Sequence, residues 1–282
     1  MRVSLWLLLA VSANLAAAQP AYDRYGGHTG VKRKATGWFR IEQIGQRWTF
    51  ITPEGHPYIA LGANHVGKFF SDPKQSGAIL ARFDGNREKA EVAIGESFRK
   101  LGLNAGEAYA PLLASLKPRL PRIEDVSYPG DRTRFDLFDP AVREAIRSHV
   151  AKQCRTFAND PWVIGIGFLD QPVWTSRRME YFRGLGASAP GKRRYIDWLR
   201  TRYPDSTALN QAYATTFSSW EDALDAFKAD ATRPAVQSDD SEFLAIAADS
   251  FYALLAETVH EAGPPITSSL AKNSCCAPHP TP

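Results

Sequence analysis

Cysteine is scarce in this sequence: three occur in 282 residues, at positions 154, 275 and 276. So small and odd a number excludes a disulfide-built scaffold and leaves stability to a hydrophobic core. Long apolar runs are scarce too. Beyond the first twenty residues, no stretch has the roughly 18 consecutive apolar residues that a membrane-spanning helix needs. No G-x-G-x-x-G opens a helix, which removes the dinucleotide-binding reading of an α/β sheet. Charge of one sign does not accumulate either. The net charge is +4, and the clusters Lys32-Arg33-Lys34 and Lys192-Arg193-Arg194 are short and far apart. Without stacking aromatics between them they read as solvated faces, so no nucleic-acid partner is expected.

What is present is ordinary globular material. Hydrophobic residues make up 44% and charged residues 23%, enough for a sizeable core in one or two domains. The opening "MRVSLWLLLAVSANLAAAQP" has a basic Arg2, an apolar run from Val3 to Val11, and Ala16 and Ala18 in an A-x-A site before Gln19. This pattern predicts a signal peptide over 1–18, a secreted or periplasmic protein, and no membrane association after cleavage. The alternative is an uncleaved anchor. Residues 19–36, polar and Gly-rich, read as a flexible leader.

From residue 37 the rhythm becomes regular. "GWFRIEQIGQRWTFITPEGHPYIAL" shows two β-like runs split by Gly45-Gln46, then a second turn and a third strand. Trp38, Phe39, Trp48 and Phe50 supply its apolar faces. "YIALGANHV" is a nearly continuous apolar run ending in Asn64 and His65. A helix is expected from Asn86 to Leu101, then a short strand in "LNAGEAY" and a weaker one in "RLPRIEDVSY". "DPAVREAIRSHVAKQCRTF" is a helix with Asp139 as cap and Pro140 in its first turn. Val142, Ile146, Val150, Cys154 and Phe157 form its apolar stripe, so Cys154 reads as a buried thiol. "VIGIGFLDQPVW" is the next strand. Later helices carry Tyr195, Trp198 and Leu199, read as core, and Phe243, Ala247, Phe251 and Leu254, with "SDDSE" read as the second helix's cap. "PITSSL" is a candidate fifth strand. Alternating buried strands and amphipathic helices imply parallel βα units, with polar residues collecting at the strand ends.

These blocks resemble agarase- and β-galactosidase-like retaining glycoside hydrolases. The hairpin and first strand, "FRKLGLNAGEAY", "FDLFDPAVREAI", "NDPWVIGIGFLDQPVW" and "RYIDWLRTRYPDSTALNQAYATTFSSWEDAL" match that family in the same order, over about residues 36 to 260. The resemblance implies the N-terminal part of a (β/α)8 TIM barrel, about five βα units behind a small β-hairpin cap, spanning 37–268 and followed by a disordered tail over 269–282. It implies two catalytic Glu residues, an acid/base after strand four and a nucleophile after strand seven. Such a pair must stand about 5–5.5 Å apart, one protonated and one ionised.

The chain departs from this pattern twice. Asp170 falls on the family's Asn, and Gln171 on its acid/base Glu. A Gln amide hydrogen-bonds but supplies no acidic proton. Strand seven finds no residues to occupy, so the nucleophile is expected to be missing. The resulting site is Gln171, Asp170 and Glu107 in the catalytic corner, with Asn64, His65, Asn104 and Trp174 as sugar-binding residues. Each has a structural alternative. Asn64 and His65 read otherwise as a turn Asn and a core His, Glu107 as a solvated loop residue, Asp170 as a strand-end cap and Trp174 as a core indole. No cofactor is expected. No metal site is expected either, since Cys275, Cys276 and His279 make a poor zinc spacing. Three functions stay open: an exported hydrolase of β-linked, agar-type galactan with impaired or absent turnover; a silent relative that binds oligo- or polysaccharide; or a non-binding fragment that associates through an open sheet edge.

Overall fold

The computed structural model describes residues 21–63, 70, 72–106, 116, 119–128, 134–168 and 174–265. The expected signal peptide, Asn64, His65, Glu107, Asp170, Gln171, the candidate strand after Pro265 and the Cys275–Cys276 tail lie outside these residues.

The hairpin forms as its turn chemistry dictates. Strands β1 (Arg40–Ile44) and β2 (Arg47–Ile51) pair antiparallel, and β3 (Pro57–Tyr58) adds to β2. Gly45 sits at φ +61 in the two-residue turn, a conformation that costs a side-chain-bearing residue steric energy. Phe39 is fully buried, but Trp48 is 70% exposed and contributes no core face. Within the stretch 19–36, expected to be a flexible leader, residues 30–36 are exposed, while a turn around Tyr25 packs on the hairpin. Tyr25 is buried, with its ring 5.6 Å from Phe39 and 4.6 Å from Trp162. Asp23 closes this turn by accepting from the backbone N–H groups of Tyr25 and Gly27.

Four further strands form a parallel sheet in chain order: β4 (Gly62–Ala63), β5 (Ala105–Gly106), β6 (Arg122–Val126) and β7 (Val163–Phe168). The three parallel strands expected near 58–63, 102–105 and 163–169 are present, and "RIEDV" is the fourth. The first is shorter than expected. Tyr58 belongs to the hairpin sheet, and the chain reaches the parallel sheet only at Gly62.

Described helices stand between β4 and β5 and between β6 and β7, as parallel pairing requires. They are α1 (Pro73–Ala81), α2 (Arg87–Lys100) and α3 (Pro140–Phe157), with N-caps Asp72, Asn86 and Asp139 each accepting from backbone N–H groups of the first turn. On α3 the buried residues are Ile146, Val150, Cys154 and Phe157, spaced as the stripe required. After β7 come α4 (Ser176–Gly184), α5 (Pro190–Arg202), α6 (Ser206–Tyr213), α7 (Trp220–Ala226) and α8 (Pro234–Ala262).

Two cores result. One packs Tyr25, Phe39, Val163 and Ile164 with the stripe of α3. The other packs Met179, Phe182, Tyr195, Leu199, Leu209 and Tyr213. Helix α8 joins them, with Phe243 and Ala247 in the second core and Phe251, Leu254 and Leu255 in the first. Each fully buried Phe or Leu contributes about 1.5–3 kcal/mol.

The start of α8 is a correction. Ser238–Glu242 was the expected cap, yet the helix begins at Pro234, and Asp239 and Asp240 are buried within it. Asp240 pairs with Arg183 of α4, while Asp239 meets Arg202 at 2.9 Å and the hydroxyls of Tyr203 and Tyr213 at 2.7 and 2.9 Å. Buried carboxylates need such partners, and these come from distant helices that a local cap pattern does not reveal. Lys192, expected on a solvated face, is likewise buried, and its Nζ donates to the Arg183 carbonyl oxygen. The length of α8 would span a bilayer, but its apolar residues are consumed by both cores.

Candidate functional site

Parallel strands deliver their functional residues at their C-terminal ends. Here β4 ends at Ala63, β5 at Gly106, β6 at Val126 and β7 at Phe168. Asn64-His65, Glu107 and Asp170-Gln171 follow the first, second and fourth of these ends within two or three residues in the chain. All three segments therefore leave the sheet from the same edge, and the five residues themselves lie outside the described residues.

Asp125 is a carboxylate at this edge that the sequence reading did not single out. It stands one residue before the end of β6, in register with Gly167 of β7. A Cβ at Gly167 would lie 2.5 Å from its Oδ1. Gly167 therefore makes room for the Asp125 carboxylate, and only glycine does so without displacing it. The available signal was an acidic pair, Glu124-Asp125, inside an otherwise strand-like run. Glu124 is committed elsewhere, since it accepts from Arg122 Nε at 2.6 Å.

Trp174 is held on several sides. Its indole centroid is 5.9 Å from Phe251 and 6.1 Å from Tyr252, and its Nε1 donates to the Tyr252 hydroxyl at 3.4 Å. The Arg178 guanidinium covers it at 4.8 Å and covers Phe135 at 4.5 Å. Trp174 remains half-buried and packs against both cores. It joins the segment after β7 to α4 and α8. Gln153 of α3 donates through Nε2 to the Ser127 carbonyl oxygen at 2.6 Å and fixes the turn after β6.

Asn104 is a correction. It was expected among the sugar-binding residues, but it precedes β5 and stands at the opposite, N-terminal end of the sheet. Its amide is spent on backbone. Oδ1 accepts from Leu61 N–H at 2.8 Å, and Nδ2 donates to the Ile59 carbonyl oxygen at 2.8 Å. The Tyr58 hydroxyl donates to the Asn104 carbonyl oxygen at 2.9 Å. Asn104 thus ties the link between hairpin and β4 to the start of β5. Burial pushes the Tyr58 phenol well above its usual range, which keeps it a neutral donor.

A cavity of about 800 Å³ also opens at this N-terminal end, between the hairpin and the strand starts. It lies away from the strand ends where the family's chemistry would be sought.

No protein-family model matches the chain. A beta-agarase B of Vibrio sp. (strain JT0107) is 22% identical over 298 residues of alignment, covering 76% of this chain and 31% of that protein. Among solved structures, the agarase AgWH50C superposes with a TM-score of 0.69 at 19% identity, covering 86% of this chain and 46% of that one. An exo-beta-agarase gives a TM-score of 0.70 at 17% identity, covering 88% and 48%. PfGH50B gives 0.70 at 16% identity, covering 86% and 47%. The chain spans about a third of the curated relative and about half of these solved chains. In sequence and in mixed α/β fold, this chain is similar to agarase-like glycoside hydrolases over part of their length.

Proposed function

We propose that this chain presents the saccharide-facing strand ends of a partial agarase-like barrel, exported from the cell, and binds a β-linked, agar-type galactan with impaired turnover. One observation carries the reading. Strands β4 to β7 run parallel in chain order, and the residues matched to the family's corner follow their C-terminal ends. Asp125 adds a carboxylate at the same edge. Gln171 takes the acid/base position. It keeps the hydrogen-bonding shape of the acid but has no proton to give to a leaving oxygen. General acid assistance is worth about 10²–10⁴-fold, and its loss weighs most on substrates with poor leaving groups.

The test is calorimetric titration with neutral agaro-oligosaccharides, run beside a reducing-sugar assay on the same preparation. Saturable binding with hydrolysis at or near the uncatalysed rate supports the proposal. Absence of binding, or robust hydrolysis of an unactivated agaro-oligosaccharide, overturns it.

A second reading has its own support. Ile59 and Leu61 are 72% and 55% exposed where the chain enters β4, an edge strand among the described residues. Such an edge favours association with another chain. A monomeric mass in solution at high micromolar concentration would end that reading.

A further inference from the structure

We infer that the cavity at the N-terminal end of the sheet is a second binding site, for an anionic, sulfate-bearing oligosaccharide. The saccharide part rests on the proposed function; the anionic part rests on the cavity itself. Its volume of about 800 Å³ suits a ligand of a few sugar rings. Four arginines line it, Arg24, Arg47, Arg99 and Arg119, with no lysine and with Asp23 as the sole carboxylate among the described lining residues.

These arginines are not equally occupied. Arg24 meets Glu54 at 2.9 Å, and Arg119 shares the Asp160 carboxylate with Arg122. Arg47 and Arg99 have no carboxylate partner among the described residues, although they come from separate elements, β2 and α2. Arg119 keeps 38% of its side chain exposed while it holds Asp160, so its guanidinium still adds positive charge to the lining. Asp23, the sole lining carboxylate, is turned to its own loop, where its oxygens accept from the Thr52 hydroxyl and two backbone N–H groups.

The floor fits the rest of a saccharide. Tyr22 is 61% exposed, and Pro57, Ile59, Leu61 and Pro121 give apolar surface for the C–H faces of a sugar ring. Planar guanidinium forks match the oxygens of a sulfate ester in a way that point-charge ammonium groups do not. An acidic galactan would thus be held at both ends of the sheet, by charge below and by neutral hydrogen bonding above.

The test titrates the full chain with a sulfated galacto-oligosaccharide, its desulfated counterpart and sodium sulfate. It uses the unaltered protein, the Arg47→Ala/Arg99→Ala double variant and Gln171→Ala. Arg47 and Arg99 are exposed, so circular dichroism should show an intact fold in the double variant. We expect the sulfated ligand to bind at least tenfold more tightly than the desulfated one, and more weakly as salt rises. The double variant should lose that difference while keeping the desulfated affinity. Gln171→Ala should do the reverse. Equal affinities for both oligosaccharides, no effect of the double variant, or sulfate alone binding as tightly as the sulfated ligand would each overturn the inference. Absence of desulfated binding by the unaltered protein, with its sulfated binding intact, would instead reject the agar-type reading and leave this site standing.

Discussion

The Arg178 guanidinium lies 4.8 Å from the Trp174 ring centroid, on a side chain that is only 2% exposed. Phe135 stands 4.5 Å from the same guanidinium, so one cation is shared by two rings from different connections. Phe135 belongs to the segment after β6, and Trp174 to the segment after β7. Arg178 therefore holds together two neighbouring loops at the strand ends, where rigidity fixes any site built on them. A desolvated cation–π contact is worth about 2 kcal/mol or more. Arg178→Ala is expected to lower unfolding free energy by about 2–3 kcal/mol and to change tryptophan emission. Arg178→Lys should recover little of it, because an ammonium cannot lie flat between two rings. Urea denaturation with near-ultraviolet circular dichroism checks both. Unchanged stability in Arg178→Ala would remove Arg178 from this role.

Asn104 gives a contrasting expectation. Its amide bonds go to the backbone of Ile59 and Leu61, not toward the strand ends. Asn104→Ala removes both partners from exposed backbone groups that water can then serve, at a cost of about 0.5–1.5 kcal/mol. Neutral saccharide affinity should stay within about threefold of the unaltered protein, because the change lies at the far end of the sheet. A large loss of affinity without loss of stability would restore Asn104 to the binding residues.

These two residues show what the sequence could and could not reveal. The α3 helix was fully legible, because Asp139, Pro140 and the apolar stripe are local signals acting within a few residues. The hairpin was legible for the same reason, through Gly45 and alternating apolar positions. Asn104 was misplaced because a polar residue beside a short strand does not say which end it marks. Strand β5 has only two residues, too few for a direction to show. The polar run Ser238–Glu242 imitated a cap because its true partners, Arg183 and Arg202, are 57 and 37 positions from Asp240 and Asp239 in the chain. Asp125 went unnoticed because its importance lies in a cross-strand neighbour without a side chain, Gly167.

Lys192 should make stability depend on pH. Burial lowers its pKa from 10.5 to about 8, the Arg183 charge adds to this, and Asp225 opposes it. Between those two values the unfolded chain holds a proton that the folded chain has released. Stability therefore rises with pH through that window, and is lowest below pH 8, where the charged amine must be buried. Tyrosines act in the opposite sense at higher pH, since Tyr195 and Tyr203 are pushed up to about 12, chiefly by burial, and the folded state keeps their protons. The measurement is the urea midpoint from about pH 7.5 to 9.5, compared with Lys192→Met. The unaltered protein should gain stability relative to the variant across this range. Parallel curves would show that Lys192 does not titrate differently on folding.

Gln171 yields the most direct prediction about the site. If it hydrogen-bonds a glycosidic oxygen, Gln171→Ala should weaken neutral agaro-oligosaccharide binding by about 0.5–1.5 kcal/mol, the net worth of one such bond. The unaltered protein has an amide here, so this position contributes no pH dependence to binding. Gln171→Glu introduces a group that donates only when protonated and that carries charge near neutral pH. Binding by Gln171→Glu should therefore be tighter at about pH 4 than at pH 7, with the transition reporting the new carboxyl's pKa. Calorimetry on the three proteins across that range reads the effect directly. A flat profile in Gln171→Glu, together with unchanged affinity in Gln171→Ala, would mean that this side chain does not face the saccharide, and the correspondence with the family's acid/base corner would fail at its central residue.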